Sequence, residues 1–262
     1  MSTSKKTTCI NNEFLKTKMF RRKKESRLNH YGSFVLGPLI SGQGITVGNA
    51  IRRTLLSNIP GIAITSVQIV GAEHEYSTLP GVRESVLEIL SNLKQIIFTT
   101  TLDFTTSKVG FIHAIGPGSV FAQDLQLPSF VEPVDGNQYI ATLESDGEIH
   151  IKFTLEQDEG YRTQSLPVYK IPVELPIDAV FMPIRQVNYK IQTEKIYSSY
   201  QEYIYVEIWT NGSISPHQAL QESSSKLQNL FEQLRTVPVP ENKLLGQWSY
   251  AIRRDLVHNY PL

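Results

Sequence analysis

Arg52 and Arg53 stand side by side in GNAIRRTLLSNIPG, Gly48 to Gly61. Adjacent guanidiniums suit a phosphate or carboxylate, so an anion site is the first chemistry they suggest. Other chemistry is scarce. GPGSV at 116–120 shares only its glycines with a phosphate cradle and reads as a tight turn between strands. His74 and Glu75 are neighbours, so on a strand they would face opposite sides, a poor arrangement for acid–base work. The six histidines are scattered, and no metal site is expected. There is no Walker loop, no GxGxxG after a strand, no HExxH and no cysteine cluster. No catalytic residue, cofactor site or small-molecule site is expected, which leaves binding or assembly as the role.

Composition narrows the partners. The formal net charge is zero, but residues 1–28 hold nine Lys/Arg against Glu13 and Glu25. The other 234 residues carry 16 basic and 23 acidic side chains, a poor balance for direct duplex binding. Any nucleic-acid contact is expected from this N-terminal stretch, read as a basic flexible tail, with an organelle transit peptide as the alternative. Cys9 is the single cysteine, which excludes an internal disulfide framework. No apolar run approaches the roughly 18 residues of a membrane span. NGS at 211–213 matches a glycosylation sequon but reads as a turn.

The elements that must carry these residues are legible from periodicity. YGSFVLGPL (31–39) alternates and reads as a strand ending at Pro38; residues 46–58 follow as a helix with Thr46 as N-cap and Pro60 as stop. AITSVQIVGA (63–72) is a strand. Residues 80–96 form a helix with Val82, Val86, Ile89, Leu90 and Leu93 on one face and Arg83, Glu84 and Glu88 on the wet side. From 96 to about 169, β-branched and aromatic residues punctuated by Gly and Pro indicate a β-rich module. AVFMPIRQVNYKIQ and EYIYVEIWT are two strands able to pair antiparallel. Ser215 and Pro216 then take the N-cap and N1 positions of a helix reaching about Leu234. Beyond VPVPE, at 237–241, at most one short helix is expected, in WSYAIRRDLV.

At about 100° per residue, Val47, Ala50, Ile51, Thr54, Leu55 and Asn58 share the inner arc of the arginine helix. Leu56 falls on the opposite face, flanked by Arg52 and Arg53. One account is a chance surface leucine between solvated arginines. The other is a protein-binding face, since arginine is enriched at interfaces and an apolar knob beside it fills a pocket. The last helix poses a similar choice. Leu220, Leu227, Leu230, Phe231 and Leu234 form a stripe broken by Ser223, Ser224 and Ser225. It suits either core packing or a symmetry mate across a two-fold axis.

GNAIRRTLLSNIPG, HEYSTLPGVRESVLEILSNLK, GPGSVFAQDL, PIDAVFMPIRQVNYKI and VEIWTNGSISPHQALQESS occur in the order of the N-terminal domain of the RNA polymerase α subunit. The resemblance runs from about Tyr31 to Leu234. YGSFVLGPLISGQG and PIDAVFMPIR look most like the plastid-encoded form. It implies an α+β fold of two subdomains: a discontinuous dimerisation module at 29–60 and 176–236, and an inserted β-rich module at 61–175. Residues 1–28 and 237–262 are then extensions. It implies a homodimer on which the β and β′ subunits assemble, within a nucleotidyltransferase of plastids (chloroplasts) whose Mg²⁺ and catalytic aspartates belong to β′.

By the same resemblance Arg53, Leu56 and Glu88 would contact β. Lys94, Ile177, Asp178 and Ile184 would face β′, with the helix dipole as a second reason for Lys94. Leu227, Leu230, Phe231 and Leu234 would form the dimer interface. Arg52 receives no role. Where bacterial members place a basic run, this chain has EQDEGY (156–161). Only residues 235–262 follow Leu234, too few for the family's C-terminal DNA-binding domain. DNA is expected only through the assembled complex. Two other classes are carried: a small-molecule enzyme with its site in the β-rich module, marked by a monomer with a saturable ligand, and a DNA-binding adaptor acting through the tail, marked by salt-dependent binding lost on deleting 1–28.

Overall fold

The computed structural model describes residues 16–163, 173–196 and 199–236. The chain divides into two units, 1–224 and 225–262. The readings made for Cys9 and for 237–262 fall outside the described residues.

Two sheets organise the first unit. One is antiparallel and ordered β1-β2-β14-β13, from β1 (Lys16–Ser26), β2 (Asn29–Ile40), β13 (Ile184–Ile196) and β14 (Ser199–Thr210). Alternate residues of its two central strands, Phe34 and Leu36 on β2 and Ile204, Val206 and Ile208 on β14, are buried. A period of two puts such residues on one face. Helix α1 (Gln43–Ser57) packs on that face against β13, β14 and β2. It approaches closely because Gly44 and Gly48, four apart and so on one side of the helix, are turned to the sheet. A Cβ at Gly48 would sit 2.8 Å from the Tyr189 ring, and one at Gly44 2.6 Å from a Glu202 carboxylate oxygen.

After α1 the chain leaves for the second sheet and returns at β13. That sheet is ordered β11-β3-β9-β5, from β3 (Gly61–Ile69), β5 (Lys108–Ile115), β9 (Glu148–Asp158) and β11 (Leu175–Pro176). Helix α2 (Val86–Lys94) lays Val86, Ile89, Leu90 and Leu93 into a core shared with Val67, Ile112, Ile140, Ile151 and Phe153. Three short ladders complete the region: β4 (Phe98–Thr100) with β7 (Val131–Pro133), β6 (Gly118–Phe121) with β8 (Tyr139–Leu143), and β10 (Tyr161–Arg162) with β12 (Ala179–Val180). Helix α3 (Pro216–Arg235) follows β14; its first turns bury Pro216, Ala219, Leu220 and Ser223, and the Ser215 hydroxyl accepts the Gln218 N–H at 3.3 Å, the expected cap. With mostly antiparallel strands and three α-helices among the described residues, the fold is α+β as expected.

Four local expectations are corrected. The stretch 1–28 is not all flexible tail, because Lys16–Ser26 pairs along β2. It holds six Lys/Arg at the edge of its sheet, a composition that discourages further strand pairing. Thr46 is not an N-cap; α1 begins at Gln43 after a left-handed Gly42 with no local side-chain cap. Helix α2 begins only at Val86, where Ser85 and Glu88 form a reciprocal capping box, and Val82 reaches the core from the preceding loop, bridged to Leu143. Glu84 is half-buried in that loop rather than on a wet helical face.

Candidate functional site

The helical wheel placed Arg52, Arg53 and Leu56 correctly, but Asn58, assigned to the inner arc, is the exposed C-cap of α1. Ile51, Thr54 and Leu55 are buried, Arg52 and Arg53 are exposed, and Leu56 is half-buried between them. Neither arginine has an ion-pair partner among the described residues. The helix carrying them is anchored from far away. Glu202 on β14, 9% exposed, accepts the backbone N–H groups of Gly42 and Gly44 at 2.8 Å each. These are among the orphan donors of a helix N-terminus. The bonds from Gly42 and Gly44 hold the Glu202 carboxyl below its ordinary range. At the other end of α1, Asn58 donates to Glu159 at 3.2 Å.

Helix α2 ends in a second candidate face. Lys94 is its last residue, and its ammonium pairs with Asp178 at 3.3 Å, with both side chains over a third exposed. Two residues predicted from distant stretches are thus brought together. Lys94 also lines a cleft of about 230 Å³ with Arg185 and with Val180 and Met182, which are 43% and 40% exposed. Ile177 and Ile184 are each only 5% exposed. That leaves each little surface of its own, and Ile177 belongs to the core of the second sheet. Glu88 is exposed on α2, but its carboxylate accepts the Ser85 N–H at 2.9 Å and so serves the capping box.

In α3 the apolar stripe changes character along its length. Leu220 is 5% exposed and Ser223 is fully buried, its hydroxyl returned to the Leu220 carbonyl at 2.9 Å. Leu227 is half-buried, while Leu230, Phe231 and Leu234 are 51%, 59% and 61% exposed. Three large apolar side chains within five residues form a patch of the kind that marks an interaction surface.

Other clusters had no counterpart in the sequence reading. Arg162 binds both Glu156 and Asp158, and its guanidinium lies 5.3 Å from the centre of the Phe181 ring. The EQDEGY acids are therefore partly neutralised within the chain. Glu84 accepts the Tyr139 hydroxyl and the Thr142 N–H; burial pushes its carboxyl up, but these bonds outweigh it and hold it low. On the outer side of β5 and β9, His113 and His150 stack over one another at 4.2 Å, and Glu148 reaches both. Gly116 and Pro117 form the β5–β6 connection and the rest of GPGSV opens β6, while His74 and Glu75 lie in a turn rather than a strand. No helix among the described residues is long and apolar enough to cross a membrane.

The chain is similar in sequence to known proteins. Residues 67–182 match the family model described as the RNA polymerase Rpb3/RpoA insert domain. A DNA-directed RNA polymerase subunit alpha from Chlorokybus atmophyticus is 47% identical over 224 residues, covering 84% of this chain and 70% of that protein. The subunit from Mesostigma viride is 48% identical over 80% of this chain and 66% of its own length. That from Synechococcus sp. (strain JA-3-3Ab) is 46% identical, with 79% and 63% covered. The chain therefore spans about two thirds of the length of these relatives. Identity at this level over most of the chain, on an α+β fold with the insert-domain match, shows that it belongs to the family of DNA-directed RNA polymerase α subunits.

Proposed function

We propose that this chain is the non-catalytic α subunit of a plastid RNA polymerase, homodimerising through α3 and carrying the β and β′ subunits on separate faces. The observation that carries this reading is the exposed patch Leu230–Phe231–Leu234, which needs a partner surface, on a chain of the α-subunit family. The insert-domain match at 67–182, between two stretches that share one sheet, supports a discontinuous dimerisation module and an inserted β-rich module. The exposed Arg53 beside Leu56 supports a β contact, with Glu88 a further member, and the Lys94–Asp178 pair with its cleft supports a β′ contact. The likeness to the plastid-encoded form, with relatives from Chlorokybus and Synechococcus, supports the plastid setting.

Co-expression with β tests the assembly role. Arg53→Ala and Leu56→Ala should each weaken capture of β by about 30-fold or more, the cost of losing a hot-spot side chain. Homodimerisation should be unaffected. Unchanged capture by both variants would remove the β assignment.

A further inference from the structure

Antiparallel pairing of β5 with β9 sets His113 opposite His150, while Glu148, two residues before His150, shares its side of the strand. The Glu148 Oε1 lies 3.3 Å from His113 Nε2 and 2.7 Å from His150 Nε2. All three ligand atoms fall within 4.8 Å of one another. Donors bound at about 2.0–2.1 Å in a tetrahedral shell are spaced about 3.3 Å apart. The His113–Glu148 spacing already meets this value; the His150–Glu148 spacing needs a small opening, and the two stacked rings must rotate so that their Nε2 lone pairs converge on one ion. The side chains are 45–53% exposed, so an ion has an entry path and its remaining positions stay open to water.

We infer that His113, His150 and Glu148 form a binding site for a divalent transition-metal ion of the Zn²⁺ class on the outer face of the second sheet. Two borderline imidazole donors beside one hard carboxylate suit Zn²⁺, Ni²⁺ or Cu²⁺ over Mg²⁺ or Ca²⁺. Each imidazole would bind in its neutral form, with the proton on Nδ1 and the lone pair on Nε2. A bound ion would replace hydrogen bonds to Glu148 by metal bonds and clip the edge strand β5 to β9. The open positions lie beside a hollow of about 460 Å³ lined by Gln68, Val70, Phe111, Gln126 and Lys152, where a further donor can approach. None of the three residues is used by the subunit contacts proposed above, so the site stands or falls independently of them.

The test uses the full chain after chelator washing, titrated with Zn²⁺ by calorimetry and followed by thermal unfolding, with Co²⁺ as a spectroscopic probe. One Zn²⁺ per chain should bind and raise Tm, Co²⁺ should give the visible absorption of a low-coordinate nitrogen–oxygen site, and Mg²⁺ should do neither. His113→Ala or His150→Ala should weaken binding by more than the roughly 10–100-fold that loss of a merely supporting group costs. Both residues are on the surface, so a Tm without metal close to that of the wild type shows that each variant folds. Saturable Zn²⁺ binding that survives the double variant, or no binding by the wild type at sub-millimolar ion, overturns the site.

Discussion

Phe231→Ala should weaken the proposed α3-mediated dimer without unfolding the protomer. The ring is 59% exposed, and on an aromatic side chain of about 200 Å² this leaves about 120 Å² to be covered by a partner. At ~25 cal/mol per Å², that burial is worth about 3 kcal/mol per ring, and a two-fold axis uses the ring twice. Ordering costs and the methyl group left by alanine reduce the observed effect, and the hot-spot scale sets a floor of about 2 kcal/mol per dimer. The dimer Kd should therefore rise at least about 30-fold. Sedimentation equilibrium over a dilution series reads this directly, with far-UV circular dichroism confirming an unchanged fold. A variant that dimerises like the wild type would show that the exposed ring is not at the interface and would refute the reasoning.

The Lys94–Asp178 pair separates structure from contact. Exposed ion pairs contribute about 0–1 kcal/mol, so Lys94→Ala should barely move Tm yet reduce recovery of β′ on co-expression; a large fall in Tm would make the pair structural. Glu202 should give the first sheet an acid-sensitive anchor. Its carboxyl pKa is lower folded than unfolded, so its contribution is present above the unfolded value of about 4.3 and is lost as pH falls through the folded one. The Tm difference between wild type and Glu202→Gln should accordingly shrink on acidification, and hydrogen exchange of the first turn of α1 should be faster in the variant at neutral pH. A difference that grows in acid would contradict the cap.

Local signals and long-range ones parted cleanly. Alternation in QVNYKIQ and EYIYVEIWT marked β13 and β14, and the Ser215–Pro216 pair marked the start of α3, because each depends on neighbours in sequence. The wheel separated Arg52, Arg53 and Leu56 from Ile51 and Leu55 for the same reason. The start of α1 was misplaced because its cap, Glu202, lies 158 residues from Gly44. Val82 matched a helical period while entering the core from a loop. His113 and His150 became neighbours only through the β5–β9 register, which no spacing along the chain encodes. Ile177 and Ile184 carried no sequence mark of their burial, which depends on packing between distant stretches.

Native mass spectrometry of the chain co-expressed with its β and β′ subunits tests the assembly role most directly. The account predicts a complex holding two copies of this chain with one β and one β′, and a free homodimer when the large subunits are left out. A monomer recovered without either large subunit, under conditions in which β and β′ are soluble, would contradict it.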